Sequence, residues 1–237
     1  FNIPHSLGWY YGAFTRFTGF KIYDGEGKTM GLAPYGNPNK YFRSKIRDML
    51  KLNSNGYSID PTLLYYSKRT LVDEFSDEFA NIFGEYREND EAEILQHHKD
   101  AAFEAQKRLE EVGLFLAEYL IDKTGIRNLC LAGGVALNCK MNGRIHRSEK
   151  VDNIFIQPVS GDDGTALGAA MALYLENNLD TSGFKMEHVY YGPSFSNSQI
   201  ESSLIKKGLT YIKVDNIERH TAELISEGNV VGWFQGR

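Results

Sequence analysis

Two glycines, Gly133 and Gly134, stand between the apolar stretch Asn128-Leu-Cys-Leu-Ala132 and a helix-like run from Val135 to His146. With no Cβ at either position, a ligand can approach the main chain closely. Free N–H groups at the start of the next helix, together with the helix dipole, favour a phosphate there. The same pair also suits a plain strand-to-helix turn with no ligand. Asn138, one turn further on, could aim its amide at a ribose or a base, or simply face solvent.

A second cluster, Ser160-Gly-Asp-Asp-Gly164, follows the strand-like stretch Asn153-Ile-Phe-Ile-Gln157. Its adjacent carboxylates, Asp162 and Asp163, can ligate a cation or accept hydrogen bonds from hydroxyls. Capping of the following helix is the structural alternative. Glu26-Gly-Lys28 places a carboxylate and an ammonium on what reads as a glycine-flexed turn of hairpin type. His5, just before Ser6-Leu-Gly8, is a candidate catalytic base or a satisfied structural histidine. His97 and His98 are expected to point to different sides of a helix, so they would not share a metal as an i, i+4 pair does. Cys139 is expected to be a buried spectator.

These groups need elements to hold them. Strand, glycine turn and helix, written twice between residues 128 and 176, form the pattern of an α/β nucleotide-binding lobe. A long helix carries Ala101, Ala105, Leu109, Val112, Leu116 and Leu120 on one face and stops at Gly125. Glu104, Lys107, Arg108, Glu111 and Glu118 lie on its other faces. Amphipathic spacing gives helices over Tyr41 to Leu50 and Leu71 to Phe83, with a hairpin turn at Asn53-Ser-Asn-Gly-Tyr57 between them. Residues 41–98 read as an insertion or a lid. Thr18 to Gly25 reads as a helix exit, a strand and a turn. In the tail, a capping box at Ser198-Gln-Ile-Glu201, a strand near Tyr211 to Val214, a helix from Ile217 to Glu227 and a final strand are expected.

Composition narrows the function classes. The 26 Lys and Arg against 31 Asp and Glu give a net charge of −5, which speaks against broad nucleic-acid binding. A 42% hydrophobic, 13% aromatic chain can build a sizeable core rather than remain disordered. No apolar run approaches the roughly 20 residues of a membrane helix. Two cysteines provide no disulfide framework, and the expected location is cytoplasmic. The 237 residues allow one or two domains. The chain opens at Phe1 within structured-looking sequence and stops just after Val230-Val-Gly-Trp-Phe234, so it reads as a piece of a longer protein.

Four segments, taken in order, resemble the NodU/CmcH O-carbamoyltransferase family: His5-Ser-Leu-Gly-Trp-Tyr-Tyr-Gly12, Glu26 through Gly36, Leu129 through Cys139 with Asn142-Gly143, and Gln157 through Ala169. The resemblance covers nearly the whole chain. It implies an α/β fold: an actin/Hsp70/sugar-kinase-like (ribonuclease H-like) lobe with a helical insertion over residues 1–185, then the start of a YrdC-like domain over residues 186–237. It implies that carbamoyl phosphate and ATP yield carbamoyl-adenylate, whose carbamoyl group passes to a hydroxyl of a small molecule or oligosaccharide. A metal, described as iron in the family, assists, with magnesium for ATP. Carried onto this chain, Gly133, Gly134, Val135 and Asn138 match the nucleotide loop, and Glu26 and Lys28 the turn facing the adenosine. Asp162 takes the metal position, with Asp163 as the alternative, and His5 is the candidate base. The family's histidine-rich metal motif and first phosphate loop would precede Phe1, and most of the YrdC-like domain would follow Arg237. The 237 residues alone are therefore expected to show no turnover. The alternatives are a sugar kinase or ATPase-like phosphotransferase and a non-catalytic nucleotide-binding module.

Overall fold

The computed structural model describes residues 5–64, 75–178, 180, 183, 186 and 188–237. Two compact units divide the chain, Phe1–Asn177 and Asn178–Arg237. The first is mixed α/β, with small two-stranded sheets among many helices.

Helix α1, Leu7–Phe17, starts where Ser6 accepts a hydrogen bond from the Trp9 amide at 3.4 Å. Leu7, Tyr10, Tyr11, Phe14 and Phe17 are buried. Phe14 and Phe17 meet Phe79 and Phe83 of helix α4, Asp77–Phe83, with ring centroids 5.0 to 6.2 Å apart. Such tilted and edge-to-face pairs add roughly 0.5–1.5 kcal/mol each beyond area burial. Helix α4 covers the end of the helix expected from Leu71; residues 71–74 lie outside the described residues.

No strand forms between Thr18 and Gly25. The chain turns there, and Glu26 opens helix α2, Glu26–Leu32, where the sequence suggested a hairpin-like turn. Glycine weakens a short helix, so packing must supply what propensity lacks. The Thr29 hydroxyl lies 3.1 Å from that of Thr15 and 3.3 Å from that of Thr18, and this buried trio docks α2 on α1.

Helix α3, Lys40–Met49, is capped by Asn39 and leads into the hairpin β1, Leu50–Asn53, and β2, Gly56–Ile59, as the turn cluster predicts. Phe42, Ile46, Met49, Leu50, Tyr57 and Ile59 join α1 and α4 in one core. Residues of α3, the hairpin and α4 therefore belong to the core rather than to a lid, while most of residues 84–96 are exposed.

Helix α5, Gln96–Thr124, ends at Gly125, whose φ of +72° is the left-handed stop that glycine takes readily. Ala101, Ala105, Leu109 and Val112 are buried as expected, but Leu120 is exposed. The polar side of α5 is packed as well. Buried Glu104 accepts from the Asn39 amide at 2.8 Å and from the Arg43 Nε and Nη2, each at 3.0 Å. His97 and His98 do not diverge as expected: both Nε2 atoms reach the Glu85 carbonyl, at 2.7 and 2.9 Å. They sit in the first turn of α5, where the rings can fold back toward the preceding loop.

Strand β3, Asn128–Leu131, pairs in parallel with β4, Asn153–Ile156, with Asn128 opposite Asn153 and Leu131 opposite Ile156. Between them, the run from Val135 to His146 is not one helix. A 3₁₀ turn over Gly134–Leu137 breaks at Asn138, and helix α6 spans Cys139–His146. The strands are half covered rather than buried: Leu129, Leu131 and Ile154 pack on the core, while Cys130 and Phe155 are exposed. Helix α7, Thr165–Glu176, has no buried residue.

In the second unit, helix α8, Asn197–Lys206, opens on a capping box formed by Ser196 and Gln199, two residues earlier than expected. Helix α9, Ile217–Ser226, is capped by Asn216. Neither Tyr211 to Val214 nor the run 230–234 is a strand. A strand needs a hydrogen-bonding neighbour, and no strand pair forms among the described residues of this unit.

Candidate functional site

Parallel strands place their following turns side by side, and ligands of open α/β sheets bind outside those carboxyl ends. Here the two turns are tied together: the Gly133 amide donates to the Ser160 carbonyl at 2.7 Å. Gly133 has a φ of +95°, which a side chain would strain. A Cβ built at Gly133 or at Gly134 meets nothing within 4 Å. Gly134 and Val135 begin the 3₁₀ turn, so their N–H groups precede its first internal hydrogen bond, from Ala136 to the Gly133 carbonyl at 2.9 Å. The result is an exposed, Cβ-free turn whose first two amides make no hydrogen bond within the 3₁₀ turn.

Two further segments reach this turn. A Cβ at Gly8, on the first turn of α1, would lie 3.8 Å from the Val135 Cγ2. From α2, the Met30 sulfur lies 3.7 Å from the Cys139 Sγ. Cys139 is exposed, not buried. All four segments that carry the sequence pattern thus converge, although 92 residues of chain lie between the second and the third.

Beneath the turn lies a buried polar network. Asn138 caps α6 by accepting from the Met141 amide at 2.9 Å. Its amide and that of Gln106 bond reciprocally, both at 2.9 Å. Gln106 also accepts from the Tyr11 hydroxyl at 2.7 Å and donates to Glu110 at 3.1 Å. Burial chiefly, with Glu110 and Glu26 adding to it, pushes the Tyr11 phenol well above its ordinary range, so it stays protonated and donates. The Asn138 side chain is thus engaged inside the protein rather than turned outward to a ribose. Gln106, Tyr11 and Glu110 went unnoticed in the sequence, because Tyr11 and Asn138 lie 95 and 32 residues from Gln106, and Gln106 with Glu110 reads as an ordinary i, i+4 helical pair.

The other expected residues distribute as follows. Glu26 is half-buried, accepts from the Tyr23 amide at 2.9 Å and lies within electrostatic reach of Tyr11. Lys28 is exposed and pairs with Asp90 at 3.0 Å. His5 accepts at Nδ1 from the Ile59 amide at 3.0 Å, and its carbonyl accepts from the Tyr57 hydroxyl at 2.6 Å. With Nδ1 accepting, the neutral ring carries its proton on Nε2 and has no free basic nitrogen. Asp162 and Asp163 are exposed at the turn after β4. Neither side chain caps α7, whose N-cap is Gly164.

Two buried side-chain atoms flank the glycine turn without a protein partner among the described residues, the Ser160 Oγ and the Asn142 Oδ1. Buried polar groups are ordinarily hydrogen-bonded, so an orphan hydroxyl at the turn after β4 fits a site that takes a polar ligand. A metal fits less well. Among the described residues, no group of three or more His, Cys, Asp or Glu side chains is placed to hold an ion. One exposed carboxylate does not fix a coordination sphere.

No described helix is long and apolar enough to cross a membrane. Residues 1–171 match the family described as Carbamoyltransferase N-terminus. The chain is 41% identical over its full length to "Uncharacterized protein sll1178" of Synechocystis sp., covering 39% of that protein. It is 33% identical, over 98% of its length, to "Nodulation protein NolO" of Bradyrhizobium diazoefficiens, covering 40% of it. The same identity and share of this chain hold for "Nodulation protein NolNO" of Sinorhizobium fredii, of which 32% is covered. The chain therefore spans two fifths or less of these relatives.

Proposed function

Because the chain belongs to the carbamoyltransferase N-terminus family, we propose that its glycine turn holds the phosphate of carbamoyl-adenylate in a longer protein that carbamoylates an alcohol. The acceptor would be a hydroxyl of a small molecule or glycan, and the activated donor would be made from carbamoyl phosphate and ATP. The observation that carries this reading is the Cβ-free turn at Gly133 and Gly134, with the amides of Gly134 and Val135 ahead of the first bond of the turn. Two N–H groups left free of the turn's own bonds, at the end of a parallel strand, suit a phosphate monoanion.

In the transfer step the acceptor oxygen bonds to the carbamoyl carbon, and its proton passes to a base. The bond from that carbon to the adenylate oxygen breaks, and AMP leaves with the electron pair. Negative charge grows on the carbonyl oxygen and then on the departing phosphate. The turn amides stabilise the phosphate without reorganising, which is where preorganised donors contribute most. Glu26, at the head of α2, is the member of the Glu26 and Lys28 pair whose surroundings suit a contact with the adenosine. His5 would need to release its Nδ1 bond to act as a base. Asp162 would offer one carboxylate to a cation whose remaining ligands lie outside the described residues, and no step is drawn through such an ion. The reading also assigns an actin/Hsp70-like lobe to residues 1–185 and the start of a YrdC-like domain to residues 186–237.

The test uses the full-length protein with carbamoyl phosphate, ATP and a panel of hydroxylated acceptors. AMP and a carbamate ester are the expected products; ADP with a phosphorylated acceptor would instead indicate a kinase. Gly134→Val is the matched variant, since φ there is not left-handed and a Cβ meets nothing within 4 Å. It should fold as the parent does and bind AMP more than about tenfold more weakly. Unchanged AMP affinity in Gly134→Val would refute the phosphate turn.

A further inference from the structure

The polar network under the turn has a fixed sense. The Glu110 carboxylate only accepts, so the Gln106 amide nitrogen faces it and the Gln106 oxygen faces Tyr11 and the Asn138 nitrogen. The Met141 amide only donates, so the Asn138 oxygen faces α6. These two end groups leave one consistent arrangement of both amides between them. Every member is buried, and helix α5 packs against α6 along this seam.

We propose that Gln106, oriented by Tyr11 and Glu110, is a positioning residue: it latches Asn138 and so fixes the glycine turn and the first turn of α6 in the conformation that receives a phosphate. The inference rests on the phosphate-turn reading given above. The physical reason is the break at Asn138. The 3₁₀ turn and α6 are separate elements joined at one residue with extended ψ, and side-chain bonds, among them Asn142 Nδ2 to the Ala136 carbonyl at 2.7 Å, reinforce the few backbone bonds that hold their relative direction. Asn138 anchors both, through Met141 on one side and the Asn138 amide bond to the Val135 carbonyl at 3.0 Å on the other. The latch connects that hinge to α5 and α1, the most deeply packed helices. A bound phosphate then meets donors already aimed, and its affinity does not carry the cost of ordering the turn.

The control lies one residue away. The Tyr10 hydroxyl also makes a buried bond, to the Ala105 carbonyl at 3.1 Å, but takes no part in the network. In the full-length protein, Tyr10→Phe and Tyr11→Phe should lower thermal stability to a similar extent. Only Tyr11→Phe should weaken AMP binding, by about fivefold, and Gln106→Leu should weaken it by roughly fivefold to thirtyfold. KM for the acceptor should not change. Hydrogen exchange across residues 131–142 should quicken in Gln106→Leu and Tyr11→Phe but not in Tyr10→Phe, with no ligand present.

Unchanged exchange in Gln106→Leu overturns the latch, as does an equal loss of AMP affinity in Tyr10→Phe. Faster exchange in a protein whose parent takes up no adenine nucleotide supports the latch and refutes the phosphate site instead. Unchanged AMP affinity in Gln106→Leu, with the parent binding normally, overturns the positioning role.

Discussion

Two halves of the first unit are built to different standards. The helical half, α1 with α3, α4 and α5, buries Tyr10, Phe14, Phe17, Phe79 and Phe83 almost completely. The strand half, β3 through α7, leaves Phe155, Leu173, Tyr174 and Leu175 each about half exposed or more. Parallel strands are usually covered on both faces, yet here only one face of β3 and β4 meets the core. In the proposed function the chemistry falls to the lightly packed half, and the proposed Gln106 latch ties that half to the heavily packed one. This is the usual division between a rigid scaffold and the turns that carry function.

The contrast can be broken or sharpened by substitution. Phe14→Ala, in the centre of the aromatic cluster, should cost about 3–5 kcal/mol and lower the unfolding midpoint of the whole unit in urea. If only the helices melted early while the β3–β4 pair survived, the two halves would be independent. Gly36→Ala should cost about 1–3 kcal/mol by calorimetry, because a Cβ there collides with the Lys99 carbonyl on α5, and a helix backbone does not yield.

A smaller effect should follow acidification. Burial lowers the pKa of His98, against the pull of the Glu85 carbonyl, and His97 and Arg87 lower it further. The unfolded chain, with a histidine pKa of about 6.5, then binds that proton more tightly than the folded one. The stabilisation is complete above that value and is lost as pH falls through the folded pKa. Melting temperature should drop between about pH 7 and pH 5, and less so in His98→Gln. Least of all, Gly134→Val should change stability by no more than about 0.5 kcal/mol while impairing nucleotide binding. That pairing of a silent melt with a lost ligand is the sharpest form of the contrast.

The sequence carried β3 and β4, the glycine turn and the long helix plainly, because each rests on local chemistry: apolar runs, missing Cβ atoms, a left-handed stop at Gly125; the strands expected at 18–25, 211–214 and 230–234 do not form. It misled where tertiary contacts overrode local preference. Glu26-Gly-Lys28 looks like a turn, yet it opens a helix that the buried threonine trio docks on α1 and that Met30 and Leu32 pack against the core. Val135 to His146 looks continuous, and only the capping of α6 by Asn138 breaks it. Within the candidate site, the main-chain part was legible and the side-chain part was not. Gln106 and Asn138 are 32 residues apart, and nothing near either one announces the other.

The two thiols offer an unplanned experiment. Cys130 lies on the outer face of β3 and Cys139 follows directly on the break at Asn138, and both are open to solvent. An alkylating reagent should therefore label both, and an adenylate seated over the neighbouring turn should shield one while sparing the other. The chain carries its own footprinting reporter and its own internal standard, with no label to be engineered.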